Sequence, residues 1–174
     1  NQDTATFTVT VTDDENPVAN APDDVSVSTA SGVATAIVSF TPTFTDNASG
    51  GSVSSSPASG SAFALGDTTV TVTATDAAGN QDTATFTVTV TDDENPVANA
   101  PVEVSVSTAG GVPTAIVGFT PTFTDNASGG SVSSSPASGS AFALGDTTVT
   151  VKATDAAGKQ DTAPLTVTGT DHKH

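Results

Sequence analysis

Cysteine, methionine, tryptophan and tyrosine are absent from this 174-residue chain, and its only basic residues are Lys152, Lys159 and Lys173. Each absence excludes a class of chemistry. Without cysteine there is no disulfide framework, thiolate nucleophile or sulfur metal site. Histidine is confined to His172 and His174 at the tail, so a Ser-His-Asp arrangement would lack its base inside the fold. No lysine or arginine precedes Lys152, which argues against nucleic acid and anionic membrane as partners, because both are held by clustered positive charge. No apolar run is long enough for a membrane span and no secretory signal pattern is present. Because it opens on Asn1 in mid-pattern, the chain reads as a processed product or a piece of a longer array.

What is present is a repeat. Asn1-Gln2-Asp3-Thr4-Ala5-Thr6-Phe7 returns as Asn80-Gln81-Asp82-Thr83-Ala84-Thr85-Phe86, a period of 79 residues (80 − 1). Residues 1–22 equal 80–101, and 40–72 equal 119–151. Solenoid repeats are shorter, so this period predicts an array of whole domains. The sequence 19 acids bring the formal charge to −16. High charge with few aromatics favours disorder, but the apolar residues are strongly patterned, and order wins.

The pattern has period two. Thr68–Thr75 alternates threonines with Val70, Val72 and Ala74, and Thr85–Thr91 alternates them with Phe86, Val88 and Val90. Half-buried antiparallel strands read this way, and threonine and valine suit a pleated surface. Further strands are predicted at about 24–30, 35–45, 52–56 and 61–65, the last with Phe63 and Leu65. Pro42 and Pro57 mark edges or bulges, and Pro164 and Gly169 weaken a central strand late in the second repeat. Turn-forming runs separate the strands: Asp46-Asn47-Ala48-Ser49-Gly50-Gly51, Pro57-Ala58-Ser59-Gly60 and Asp76-Ala77-Ala78-Gly79-Asn80. The fold class expected is all-β, as tandem immunoglobulin/fibronectin III-like β-sandwiches. The modules are placed at 17–91 and 96–170, with 171–174 as a tail. Residues 1–12 are read as the last strand of a preceding module, or one completed by a partner.

Three segments carry a family resemblance: Phe-Thr-Pro-Thr-Phe-Thr-Asp-Asn-Ala-Ser-Gly (40–50), Pro-Ala-Ser-Gly-Ser-Ala-Phe-Ala-Leu-Gly-Asp-Thr-Thr-Val-Thr-Val-Thr-Ala-Thr-Asp-Ala-Ala-Gly-Asn (57–80) and Thr-Phe-Thr-Val-Thr-Val (85–90). The chain resembles the hyalin repeat (HYR) domain over nearly its whole length. That resemblance implies a fibronectin-like sandwich in extracellular, often tandem, adhesion-linked proteins. Many members have cysteines where this chain has Ala48 and Ala84, and Ala127 and Ala163 in the second repeat, so the usual bridge is missing here.

Between repeats sits Thr-Asp-Asp-Glu-Asn-Pro, at residues 12–17 and 91–96. In such a sandwich the first strand runs away from the pole where the chain arrives, and the turns after the second strand and before the last strand return to it. Asp13, Asp14 and Glu15 are therefore expected near Asp46, Asn47 and Asp76, and Asp92, Asp93 and Glu94 near Asp125, Asn126 and Asp155. Like charges about 4 Å apart repel by about 1 kcal/mol in water and several times that near a protein surface. Acids without basic partners need solvent between them or a cation. An oxygen-only donor set favours a hard ion, and Ca2+ accepts about 6–8 oxygens in irregular geometry. The seam resembles the Ca2+-stiffened linkers of cadherins over a few residues. The alternative is a solvated turn that keeps the array soluble.

Asn47-Ala48-Ser49 and Asn126-Ala127-Ser128 also match the glycosylation acceptor pattern, a use that excludes ligation by the same asparagines. The leading expectation is a non-enzymatic extracellular or cell-surface spacer, stiffened by Ca2+, in an adhesin stalk or filament. Its partners would be neighbouring copies of the module. Two alternatives stand beside it: a loop-mediated binder of a cell-surface protein or glycan, and a filament subunit that donates strand 1–11 to its neighbour. The eight phenylalanines are the only aromatics, which weakens the binder reading, because recognition hot spots favour Trp, Tyr and Arg.

Overall fold

The computed structural model describes residues 1–171, so the histidines and Lys173 of the tail lie outside the described residues. The described residues contain strands and turns and no helix. They separate into two compact units, one made of Asn1–Val27 with Thr35–Thr91, the other of Ser28–Ala34 with the residues from Asp92 onward.

In the first unit, β2 (Val25–Ser28), β8 (Gln81–Thr91), β7 (Gly66–Thr75) and β5 (Ser52–Ser56) form one four-stranded sheet in the order β2-β8-β7-β5. The facing layer consists of two antiparallel pairs, β1 (Val18–Asn20) with β4 (Thr43–Thr45) and β3 (Thr35–Val38) with β6 (Ser61–Ala64). The second unit repeats this plan. Its four-stranded sheet runs β10 (Val104–Ser107), β16 (Gln160–Thr170), β15 (Gly145–Thr154), β13 (Ser131–Ser135). Opposite lie β9 (Val97–Asn99) with β12 (Thr122–Thr124) and β11 (Thr114–Val117) with β14 (Ser140–Ala143). Each unit is a β-sandwich of the immunoglobulin/fibronectin III type, as the period-two pattern predicts.

The core follows directly from the alternation. Val70, Val72 and Ala74 of β7 and Phe86, Val88 and Val90 of β8 are buried, and the intervening threonines lie on the other face. Phe40 and Phe63 close the first core edge-to-face at 6.3 Å, and Phe40 meets Phe86 at 4.8 Å. In the second unit Val149, Val151, Leu165 and Val167 take the equivalent places.

Several sequence expectations are corrected. The segment 35–45 is two strands in different sheet pairs, because Pro42 has no N–H to continue a ladder and the chain crosses over at residues 39–42. The three-residue strands β1 and β9 fall below the length at which alternation is readable. Leu65 lies between β6 and β7 and is 38% exposed, so it is not core. β16 runs unbroken through Pro164 and Gly169. Its neighbour β10 covers only Val167–Thr170, so the side of Pro164 away from β15 needs no donor. Residues 1–12, expected to complete a preceding module or a partner, belong to no strand of either unit, and Phe7, Val9 and Val11 are exposed, so this expectation is not among the corrections.

Candidate metal centre

Each seam brings three aspartates from three separate segments together. Asp13 comes from the linker before β1, Asp46 from the turn after β4 and Asp76 from the turn after β7. One carboxylate oxygen from each lies within 4.8 Å of the other two, and Asp92, Asp125 and Asp155 repeat the arrangement in the second unit.

The local structure uses one oxygen of each carboxylate to fix its own loop. Asp13 Oδ1 accepts from the Glu15 N–H at 3.2 Å, and Asp46 Oδ2 accepts from the Ala48 N–H at 3.2 Å. Asp76 Oδ1 accepts from the N–H groups of Gly79 at 2.6 Å and Asn80 at 2.8 Å. The second unit repeats these with Glu94 to Asp92 at 3.1 Å, Ala127 to Asp125 at 3.3 Å and Lys159 to Asp155 at 2.7 Å. Short Asx-type loops of this kind follow from a carboxylate two to four residues before a free N–H. Burial tends to raise the Asp76 carboxyl, but the Asn80 side chain and the backbone N–H groups of Asn80, Gly79 and Ala78 favour its charged form, and the net shift is below the ordinary 3.8.

Of the remaining oxygens, Asp76 Oδ2 accepts from Asn80 Nδ2, and several others are left over. Asp46 Oδ1, Asp92 Oδ2, Asp125 Oδ1, Asp155 Oδ2 and Asn126 Oδ1 are buried without a hydrogen-bond partner. Asp76 and Asp155 are each only 5% exposed. Buried acceptors are normally satisfied, and an unpartnered carboxylate oxygen is costly unless a cation faces it. Glycine geometry makes the approach possible. Gly51 sits at φ +106°, and a Cβ there would stand 2.5 Å from the Thr75 carbonyl oxygen and 2.9 Å from Asp76 Cα. Gly130 makes the same close pass over Thr154 and Asp155.

The other sequence-nominated residues stand around these triads. Asp14 and Asp93 are exposed and belong to neither triad. Glu15 accepts from Asn47 Nδ2 at 2.9 Å, and the same nitrogen lies 3.4 Å from Asp13 Oδ1. Within the second unit, Glu94 accepts from the Gly32 N–H at 2.8 Å, while Asn126 Nδ2 donates to Thr29 Oγ1 at 3.0 Å and to the Val33 carbonyl at 3.3 Å. Sequence reasoning placed the turn Asp76…Asn80 near the linker but gave Asn80 no bonding role. Its Nδ2 in fact reaches Asp76 Oδ2 at 2.8 Å and the carbonyls of Asp13 and Glu15 at 3.2 and 3.1 Å. Asp82 and Asp161 were also missed. They accept from Ala19 N–H and Ala98 N–H at 2.9 Å, which ties each short first strand to the last one. The donor set at each triad is all oxygen and carries three negative charges, which fits a hard divalent cation such as Ca2+.

The HYR domain profile matches residues 12–90 and again residues 91–169. No curated protein matches the chain. Solved structures with a similar course include protocadherin gamma C5 EC1-3, with a TM-score of 0.48, 19% identity, and coverage of 89% of this chain and 68% of that one. Mouse cadherin-23 EC22-24 gives 0.46, 21%, 91% and 66% for the same measures. Protocadherin gammaB7 EC3-6 gives 0.46, 16%, 91% and 52%. The chain thus spans from about half to two thirds of the length of these structures.

Proposed function

The chain belongs to the HYR domain family, twice in tandem, and from that premise we propose that it is a non-enzymatic extracellular spacer whose seams are stiffened by Ca2+. The observation that carries this reading is the second triad, where Asp92, Asp125 and Asp155, within 4.8 Å of one another, each keep a buried, unpartnered oxygen; in the first triad Asp46 keeps one. Asp13, Asp46 and Asp76 would hold the ion in the first unit, and Asp92, Asp125 and Asp155 in the second. In each triad one aspartate comes from the linker and two from turns of the unit it leads into. A shared cation therefore removes the freedom of the linker and fixes where the chain meets the sandwich. Such a device serves length and stiffness, and faithful copying of residues 1–22 as 80–101 fits that role.

Binding to the folded state alone adds about 2.7 kcal/mol of stability when free ligand is 100 times Kd. Millimolar Ca2+ should raise the melting temperature of the two-unit chain, and EDTA should reverse it while shortening the maximum dimension seen by small-angle scattering. If both quantities are indifferent to chelator, the cation reading is wrong and the seams are solvated turns.

A second reading rests on residues 1–11, which are identical to 80–90. In β8 the matching Phe86, Val88 and Val90 are buried, whereas Phe7 is 88% and Val11 is 91% exposed. This segment carries the apolar residues of a core strand without a sheet to bury them, and a neighbouring copy could receive it by strand addition. Light scattering with and without residues 1–11 decides the point. A monomer in both cases removes filament assembly by this strand.

A further inference from the structure

The turn after β12 holds two successive side-chain oxygens that no donor meets. Asp125 Oδ1 and Asn126 Oδ1 are both buried and unpartnered. Asp155, which shares the triad with Asp125, is 5% exposed, and its Oδ2 is unpartnered too. Carboxylates are acceptors, so they cannot satisfy an amide oxygen; that takes a donor or a cation. An amide oxygen is an ordinary ligand for Ca2+.

The other end of the same amide is engaged. Asn126 Nδ2 donates to Thr29 Oγ1 at 3.0 Å and to the Val33 carbonyl at 3.3 Å. A carbonyl only accepts, so the bonded atom is the nitrogen and the unpartnered one the oxygen. Thr29 and Val33 belong to Ser28–Ala34, a segment of this same unit. Gly32 of that segment lines a cleft of about 200 Å3 with Glu94, Asp125 and Asn126, so solvent and ions can reach the turn. Glu94 also holds the segment, through the Gly32 N–H at 2.8 Å and the Ser31 hydroxyl at 3.4 Å, which occupies both its oxygens. Of these two residues only Asn126 keeps a buried free acceptor. Its counterpart in the first unit, Asn47, is exposed, and its Nδ2 turns to Glu15 and Asp13 of its own linker.

We infer that Asn126 couples cation binding at the second triad to the docking of Ser28–Ala34, its Oδ1 serving as a fourth oxygen ligand and its Nδ2 as the grip. This rests on the cation reading proposed above. A cation on Oδ1 holds the side chain in one rotamer and polarises the amide, so its N–H groups donate more strongly. In the other direction, the docked segment holds the amide still, and the ion meets a ligand already in place. Linkage makes the two effects equal: the factor by which Ca2+ tightens the segment is the factor by which the segment tightens Ca2+. We set it at about fivefold, the low end for coupled sites.

The test follows the full chain by backbone amide NMR in EDTA and through a CaCl2 titration. Gly158 and Lys159 report the triad, and hydrogen exchange at Gly32 and Val33 reports the segment. Saturating Ca2+ should slow exchange at Gly32 and Val33 about fivefold. Thr29→Val keeps the shape of the side chain, removes one acceptor of the grip and lies outside the triad. It should raise the Ca2+ midpoint read at Gly158 and Lys159, by up to the same factor. Asn126→Asp keeps an oxygen for the ion and loses the N–H donors, so Gly158 and Lys159 should still respond to Ca2+ while Gly32 and Val33 no longer do. Exchange at Gly32 and Val33 indifferent to Ca2+, or a Ca2+ effect there that survives in Asn126→Asp, overturns this inference and leaves the cation reading standing. No response to Ca2+ at Gly158 and Lys159 up to tens of millimolar overturns both.

Discussion

The side-chain nitrogen of Asn80 stands 2.8 Å from Oδ2 of Asp76, and that nitrogen also reaches the carbonyls of Asp13 and Glu15. One amide thus joins the turn before the last strand to the linker that enters the unit. A hydrogen bond to a charged group contributes about 1.5–3 kcal/mol, and partial exposure places this one at the low end. Asn80→Ala should therefore cost the first unit about 1.5 kcal/mol in denaturant unfolding. Hydrogen exchange should show faster opening of the linker amides near Asp13, while the second unit keeps its own midpoint.

Removing one charge from a triad should change sign with the cation. Asp46→Asn keeps a carbonyl oxygen for the Ala48 N–H, but takes one of three negative charges out of a cluster within 4.8 Å. In EDTA the first unit should gain about 1 kcal/mol from relieved repulsion. In millimolar Ca2+ the order reverses, because the wild-type chain gains binding energy that the variant has lost. Thermal melts in the two buffers check both signs.

Gly51 and Gly79 separate backbone strain from collision. Both have positive φ, +106° and +98°, but a Cβ on Gly79 meets open space, while one on Gly51 meets the Thr75 carbonyl oxygen and Asp76 Cα. Gly79→Ala should cost about 1–2 kcal/mol for the conformation alone. Gly51→Ala should cost about twice that, since the Asp46 turn must lift away from Asp76. Its Ca2+ response should fall as well, whereas that of Gly79→Ala should largely persist.

Acid should weaken the first unit through Asp76. Its carboxyl is held below the ordinary 3.8, so the unfolded chain takes up this proton at higher pH than the folded unit. The contribution is complete above about pH 4 and is lost as pH falls through the folded value. In EDTA, the difference in melting temperature between wild type and Asp76→Asn should be constant from pH 5 to 7 and should shrink below pH 4.

Where alternation ran long enough, the fold was readable from the chain. β7 and β8 follow the threonine/valine rhythm because one face of the sheet is buried and the other is not. The break at residues 39–42 was not, because Phe40 is apolar at a position where the chain is changing layers. The triads were legible as a convergence of poles, since topology alone brings Asp13, Asp46 and Asp76 to one end. Which of three successive acids faces inward was not, and only the first of Asp13-Asp14-Glu15 does so. The turn ending at Asn80 was expected near the linker, but its bonding role was not legible because its partners there are main-chain carbonyls, which have no signature in sequence.

β10 and the end of β16 run parallel, with Val104–Ser107 opposite Val167–Thr170. Just beyond that ladder Thr108 N–H donates to the Thr170 carbonyl at 2.9 Å, and on its last rung the Ser107 and Thr170 hydroxyls meet at 3.0 Å. Tension applied through the chain on either side of the unit would load the three-residue β9 and then the β10–β16 pair. The pull then drives β10 and β16 past each other along their length. Their rungs share that load at once, where an antiparallel pair would open one rung at a time. Such a pairing would resist stretching as a short mechanical clamp of threonine- and serine-flanked rungs at the edge of the sheet.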